Sequence, residues 1–286
     1  MLIITLNPSI DRTILVDQLI PGAEMRARGV RSADGGKGVN LARALTALGV
    51  KALSLTLKDT VPAVKVRVNT TVVDLAGSCT RFIEPGPYLS AGDWKKVEGF
   101  IVRHLDGARV LALCGSIPPG APDDIYARLI RAARCKGILT VLDSSGIPLA
   151  KGVKAGPWCV KPNREEAQDF FGFKIRSTRA VRKALQMLAG YGMTRVLLSL
   201  DEDGLAGFDG QNMFLARGPR CAGVTVGCGD ASLAGFLAGH MRGASFQDAL
   251  RSAAAAGTAN VGADIPGGIT RAKVLAEFKK IKMEKM

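Results

Sequence analysis

Three short stretches, two of them glycine-rich, hold most of the chain's potential chemistry. The first, Thr225 to Gly239, reads TVGCGDASLAGFLAG: Gly227 and Gly229 flank Cys228, Asp230 follows, and an apolar run at helical spacing comes after. Glycines let an anion approach backbone N–H groups, and the opening turn of a helix leaves those groups unpaired with a partial positive charge. Such a turn can hold a phosphoryl group while Asp230 accepts the proton of an attacking hydroxyl. Phosphoryl transfer is loose and largely dissociative, so positioning and charge neutralisation contribute more than base strength. The plainer role for Asp230 is a helix cap, worth about 1 kcal/mol. A G-x-G-x-x-G dinucleotide loop fits less well, because Ser232 stands where the third glycine belongs. No G-x-x-x-x-G-K-[ST] occurs anywhere, which excludes a P-loop NTPase.

The second stretch, Asp34-Gly-Gly-Lys-Gly-Val-Asn40, puts Gly36, Lys37, Gly38 and Asn40 at a helix start. Lys37 suits a phosphate as a point charge, and Asn40 can donate to and accept from hydroxyls. The alternative is a glycine turn with a solvated lysine. Asp11, Arg26 and Arg67 are candidates to converge on the same place from other loops. The third stretch is Lys161-Pro-Asn-Arg-Glu-Glu166. Asn163 and Glu166 share a helix face and can orient waters around Mg²⁺, although the same spacing is that of a capping box.

The elements that must position these loops follow from periodicity. Leu2 to Leu6 reads as a buried strand, and Gly38 to Leu48 as an amphipathic helix stopped by Gly49. Between Val64 and Val73 the alternation predicts a half-exposed strand with Lys65, Arg67, Asn69 and Thr71 on its polar face. From about residue 94 helices alternate with strands. Strands are predicted over 109–114, 138–142, 158–161 and 196–200, and an antiparallel pair over 205–208 and 213–216. Closing helices are predicted over 230–241, 246–261 and 271–282, with the terminal FKKIKMEKM as a solvated helix end. This order argues for a mostly parallel sheet covered by helices on both faces, with ligands at the carboxyl ends of its strands. Polar-faced strands near Ile14, Arg28 and Arg67 fit a smaller sheet growing out of the main one as a cover.

Taken together, GGKGVN (35–40), KPNREE (161–166) and VGCGD (226–230) resemble the ribokinase-like PfkB family of sugar kinases. TLNPSIDRT, VRVN, EPGPYLS and CGSIPPG narrow the resemblance to its 1-phosphofructokinase and tagatose-6-phosphate kinase branch. The match runs over nearly the full length. It implies one ribokinase-like unit over 1–286, with lid strands from segments near 12–33 and 64–84. It further implies ATP- and Mg²⁺-dependent transfer of the γ-phosphoryl group to a ketohexose phosphate, fructose 1-phosphate first among the candidates. Asp230 would then be the base, with Gly227, Cys228 and Gly229 forming the anion hole. Asp11, Gly36, Gly38, Asn40 and Asn69 would hold the sugar, while Arg26, Lys37 and Arg67 would bind its phosphate. Lys161, Asn163, Ser199, Asp201, Gly204, Thr225, Gly227 and Gly229 would serve the nucleotide, and Asn163 and Glu166 the metal through water. Members are often dimers.

Three departures bear on that reading. Seventeen residues, 50–66, separate Gly49 from Arg67, room for at most two strands where the family has a longer unit. Asp201 replaces a glycine near the nucleotide phosphates, which sets like charges against each other. Cys228 replaces an alanine in the anion hole, where helix-end N–H groups are expected to make its thiol more acidic. These departures keep open a second reading, a sugar-phosphate-binding protein on the same scaffold without catalysis.

Composition is compatible with this picture and narrows it. With 47% hydrophobic residues and no apolar run of about 18, the chain reads as a folded, cytoplasmic protein without a membrane partner. The six cysteines lie apart with no neighbouring histidine, so neither a zinc site nor a disulfide framework is signalled. A formal charge of +14 favours anionic partners, but three Tyr and two Trp leave few stacking platforms, which ranks nucleic acid below a small phosphorylated compound.

Overall fold

The computed structural model describes residues 1–286. β1 (Leu2–Thr5) turns into β2 (Ser9–Val16) and β3 (Gly29–Gly35), followed by α1 (Lys37–Ala47) and β4 (Leu53–Thr56). A 3-10 turn (Leu57–Asp59) precedes β5 (Arg67–Asp74) and β6 (Cys79–Phe82). Next come α2 (Ala91–Arg103), β7 (Val110–Cys114), α3 (Ile125–Cys135), β8 (Leu139–Asp143), α4 (Gly146–Lys154) and β9 (Cys159–Val160). The chain continues through α5 (Arg164–Phe171), α6 (Thr178–Ala189), β10 (Arg195–Ser199), β11 (Leu205–Phe208) and β12 (Met213–Arg217). It closes with α7 (Cys228–Met241), α8 (Phe246–Asn260), α9 (Arg271–Phe278) and β13 (Lys282–Lys285).

Nine strands form the main sheet in the order β13-β12-β11-β10-β9-β8-β7-β1-β4. The run from β4 to β10 is parallel, and β11, β12 and β13 join antiparallel. β7 shows why the sheet is covered on both sides: all five of its residues, VLALC, are buried. Alternation sends Leu111 and Leu113 into a core shared with α2, α3 and α6, and Val110, Ala112 and Cys114 into one shared with α1, α7 and α8. α7 is apolar on nearly every side and buried from Asp230 to Gly239, which fixes its first turn at the sheet's edge of action. This is the ribokinase-like α/β layering that the sequence motifs imply.

The second sheet has four strands in the order β3-β2-β5-β6. Its register pairs Asp11 with Asn69 and Ile10 with Val68, so Asp11, Arg67, Asn69 and Thr71 share one face. Asn69 and Thr71 are buried. The opposite face carries Ile10, Ile14, Val30, Val68, Val72 and Phe82, several of them exposed. This sheet is inverted relative to an ordinary half-buried one: its polar side is the covered side.

One local expectation is corrected. The last helix ends at Phe278 rather than near residue 282, and Lys282–Lys285 pairs antiparallel with β12. In this tail Ile281 is buried while Lys282 and Glu284 alternate outward, the period of a strand, and Glu284 takes both its oxygens to Arg217. α4 is a further element, outside the predicted ones; Pro148 lies in its first turn, where proline is tolerated, and Leu149 and Val153 are buried. The short stretch 50–66 supplies one strand and a 3-10 turn, with Val61 and Val64 against the core, and delivers Arg67 directly to the small sheet. No helix is long and apolar enough to cross a membrane.

Candidate active site

The carboxyl ends of β7, β8, β9 and β10 and the first turns of α1, α5 and α7 meet in one cleft. Asp143 closes β8 and Lys161 follows β9; both are almost wholly buried, and Lys161 Nζ lies 3.0 Å from Asp143 Oδ2. Lys37, the first residue of α1, donates to Asp143 Oδ1 at 2.7 Å and to Glu166 Oε1 at 3.2 Å. Burial alone raises the Asp143 carboxyl's pKa, but Lys161 and Lys37 outweigh it and hold the group below the usual carboxylate range. Burial likewise opposes the charge on Lys37, and Asp143, Glu166 and Asp230 together reverse that effect, raising its pKa.

Asp230 lies in the first turn of α7, and Asn40 Nδ2 donates to its Oδ2 at 2.8 Å. The two glycine turns therefore face each other across the cleft, joined at this carboxylate. Burial first, then repulsion from Asp143, pushes the Asp230 carboxyl up to about 7, against the pull of Lys37, the Asn40 hydrogen bond and Lys161. Gly227 precedes the helix with φ of 82°, and a Cβ there would stand 2.7 Å from the Pro266 side chain and 2.9 Å from the Gly267 nitrogen. Only glycine keeps that turn open. Gly229 lies beside Lys161 Nζ, which brings a cation to the opening turn of α7. Asn260 holds the turn from behind: its Nδ2 donates to Val226 O at 2.8 Å and contacts Cys228 Sγ at 3.5 Å, and its Oδ1 accepts from Gly267 N at 2.8 Å. The Cys228 thiol is not acidified as the sequence suggested. Burial pushes its pKa up, against the Asn260 contact, so the thiol is neutral filler.

Toward the small sheet, Asp11 Oδ1 accepts from Ser9 Oγ at 2.8 Å and Asn69 Nδ2 at 3.1 Å. A Cβ on Gly35 would overlap the Asp11 carboxylate at 2.2 Å, so glycine at that position is what lets the carboxylate lie over the turn. Arg67 donates to Glu84 O at 3.0 Å and Asn7 O at 3.2 Å, and burial lowers its pKa against the pull of Asp11 and Glu84. Asn7 Nδ2 in turn donates to Pro85 O and Ser116 Oγ. Arg67 Nε, Asn7 Oδ1 and Asn69 Oδ1 are buried without a hydrogen-bond partner. Unsatisfied buried polar atoms are costly, and a cluster of them under one sheet suits a polyhydroxylated ligand. Arg26 is not brought here: it is exposed in the segment between β2 and β3. Gly38 packs under Thr5 and Ile3, so it sets the approach of α1 to β1. Asn40 uses both ends of its amide, its Oδ1 accepting from Arg43 at 3.1 Å.

At the start of α5, Asn163 and Glu166 form a complete capping box: Glu166 N donates to Asn163 Oδ1 at 2.7 Å, and Asn163 N to Glu166 Oε2 at 2.9 Å. Capping does not exhaust Glu166, whose Oε1 remains for Lys37. Ser199 ends β10 in a parallel bridge to Asn163. Asp201 is the one non-glycine residue with positive φ, 53°, and its 71%-exposed carboxylate lies 3.5 Å from Arg164 Nε. Arg164 also pairs with Asp203 and donates to Leu200 O at 2.7 Å. The charge that replaces a glycine is thus drawn toward a cation at the rim. Gly204 sits against Ala216 O, where a side chain has no room, and Thr225 is exposed with its carbonyl accepting from Cys228 N.

Sequence reasoning missed Asp143, Asn260, Asn7 and Gly35. Asp143 had a usable signal, a carboxylate at the carboxyl end of a predicted parallel strand. Asn260 had none, since an asparagine at the end of a helix reads as a surface residue.

Comparison with known proteins agrees with this geometry. A pfkB family carbohydrate kinase profile matches residues 63–266. The chain is 33% identical over 261 residues to a 1-phosphofructokinase of Xanthomonas campestris pv. campestris, covering 82% of each. It is 31% identical over 280 residues to the ATP-dependent 6-phosphofructokinase isozyme 2 of Escherichia coli strain K12, covering 90% of each. A solved structure of phosphofructokinase-2 from Escherichia coli in complex with substrates and products superposes with a TM-score of 0.88 at 27% identity, covering 98% of each chain. With two facing glycine turns, a carboxylate between them and these matches along its length, the chain belongs to the pfkB family of carbohydrate kinases.

Proposed function

We propose that this sugar-phosphate kinase moves the γ-phosphoryl group of ATP to a hydroxyl of a ketohexose phosphate held under the four-stranded sheet, with fructose 1-phosphate the first candidate. The observation that carries the reading is the 2.8 Å hydrogen bond from Asn40 to Asp230, which joins the sugar-side turn to the anion-side turn at one carboxylate. The whole chain acts as one unit, with β2, β3, β5 and β6 as its lid. Asp11 and Asn69 orient sugar hydroxyls, and Arg67 takes the phosphate already on the sugar. The acceptor hydroxyl loses its proton to Asp230 as its oxygen bonds to phosphorus and the bond to the ADP oxygen breaks. The first turn of α7 and Lys161 neutralise the charge on the transferring group. Asp201 opposes nucleotide phosphates only in part, because Arg164 shares its charge.

Mg²⁺ keeps several waters and uses one or two carboxylates beside nucleotide phosphates. Of the expected pair, Asn163 is committed to its helix cap, whereas Glu166 Oε1 and Asp143 Oδ1 share the Lys37 ammonium and offer the few carboxylate oxygens that such an ion takes. When bound, the ion would withdraw charge from the nucleotide phosphates, with Asp143 and Glu166 holding it through water.

The test is ADP release with Mg²⁺ across fructose 1-phosphate, fructose 6-phosphate, tagatose 6-phosphate and unphosphorylated fructose. Release is expected to depend on one of the three phosphates and to be negligible with fructose. Tight calorimetric binding of a sugar phosphate with no ADP release from any of them would favour the non-catalytic reading that Asp201 motivates.

The apolar outer face of the lid, Ile10, Val30, Val68 and Phe82, is the surface we assign to a second copy of the chain. Sedimentation equilibrium should give twice the chain mass, and Phe82→Glu should give the single-chain mass. A wild-type protein that sediments as one chain at high micromolar concentration would remove this assignment.

A further inference from the structure

Lys37 is the charged group whose position the phosphoryl transfer does not by itself explain. Its backbone opens α1 on the sugar side, yet its side chain reaches across the cleft. There Nζ donates to Asp143 Oδ1 at 2.7 Å and Glu166 Oε1 at 3.2 Å. The other oxygens of these carboxylates are committed, Asp143 Oδ2 to Lys161 and Glu166 Oε2 to the Asn163 N–H. The two remaining oxygens, Asp143 Oδ1 and Glu166 Oε1, have Lys37 as their shared partner. They are also the oxygens free to meet a hydrated divalent cation, which takes oxygen donors and few carboxylates.

We propose that the Lys37 ammonium sits in the divalent-cation seat and that the metal must displace it to bind. A lysine suits this exchange because it is a compact point charge on a flexible stem, whereas a guanidinium would grip the carboxylates in a fixed fork. One third of the Lys37 side chain is solvent accessible, so it withdraws without unpacking a core, unlike Lys161 at 4%. Charge balance sets the order of events. Lys37, Lys161, Asp143 and Glu166 sum to zero and Asp230 adds at most one negative charge, so with the displaced ammonium still beside it a divalent cation alone leaves positive charge uncompensated in a partly dehydrated site. A cation arriving with a polyphosphate brings its own compensation, and its oxygens accept the displaced ammonium. Lys37 thus makes metal loading conditional on nucleotide. The identity of that nucleotide as ATP rests on the kinase reading above; the competition between ammonium and metal does not.

The experiment measures Mn²⁺ binding by paramagnetic resonance on the full chain without nucleotide, for the wild type, Lys37→Met and Lys37→Arg. Lys37→Met is expected to bind Mn²⁺ about tenfold more tightly or better, because the competing charge is gone, while Lys37→Arg shows no gain. Adding a nonhydrolysable ATP analogue should shrink the difference between wild type and Lys37→Met. Lys37→Gln serves as a second neutral variant should Lys37→Met unfold, with urea melts checking both. Mn²⁺ affinities in folded neutral variants that equal the wild type's or fall below it, with absent binding in all proteins counted as equality, would overturn the proposal. Failure of every sugar phosphate to elicit ADP release would count against the kinase reading and leave the Mn²⁺ comparison intact.

Discussion

Asp230→Asn is expected to lower turnover by about 10²- to 10⁴-fold, the contribution of a positioned general base, while sugar phosphate binds with nearly unchanged affinity. The asparagine can still accept the Asn40 hydrogen bond through its side-chain oxygen, so the two turns stay joined and the loss is confined to proton acceptance. The wild type should carry the matching pH signature. Its carboxyl is pushed up to about 7 by burial and by Asp143, so kcat/KM should fall about tenfold per pH unit below that value. In the substitution this acid limb should vanish from the residual rate. A stability effect of opposite sign accompanies it. A carboxyl whose folded pKa is raised binds a proton more tightly when folded, so its contribution is full below the unfolded value near 3.8 and is lost as pH rises through about 7. At pH 8 the buried charge is a burden, and Asp230→Asn should unfold at a higher urea concentration than the wild type. An enzyme that loses stability at pH 8 and keeps its turnover would contradict both halves.

A carboxylate buried between segments far apart in the chain is a reason the site was only partly legible in the sequence. Local patterns sufficed where one segment determines its own structure: the glycine turns, the capping box at Asn163 and Glu166, and the alternation of β5 could each be read from a few residues. The parallel layering followed from strand and helix order. What remained hidden depends on contacts between segments far apart in the chain. Lys37 reads as a free phosphate ligand until β8 and α5 bring Asp143 and Glu166 to it, 106 and 129 residues away. Cys228 reads as an activated thiol beside helix-end N–H groups, and burial reverses the sign. Arg26 carries the right charge but sits on a segment that no pairing draws into the cleft. The tail beyond Phe278 failed for a different reason: its basic residues masked a two-residue alternation that only pairing with β12 makes decisive.

Asp143 should show how strongly the buried charges depend on one another. Asp143→Ala leaves Lys161, with 4% of its side chain accessible, as an uncompensated buried ammonium. Breaking a buried pair from one side typically costs about 3–5 kcal/mol, because the surviving charge keeps its desolvation penalty and loses its attraction. Urea unfolding should register a loss of that order, enough to endanger a domain whose total stability is about 5–15 kcal/mol. If the cost comes from the stranded charge rather than from lost volume, removing the partner as well should recover much of it, and Asp143→Leu with Lys161→Met should be more stable than Asp143→Ala alone. A double variant no more stable than the single one would mean that packing at the end of β8, and not charge, dominates. Asp143→Ala that still folds at low temperature offers one further readout. Asp143 raises the Asp230 carboxyl's pKa while Lys37 and Lys161 lower it, so deleting Asp143 should move the acid limb of any residual activity to lower pH. A limb that stays near pH 7 would show that burial alone sets the acidity of Asp230.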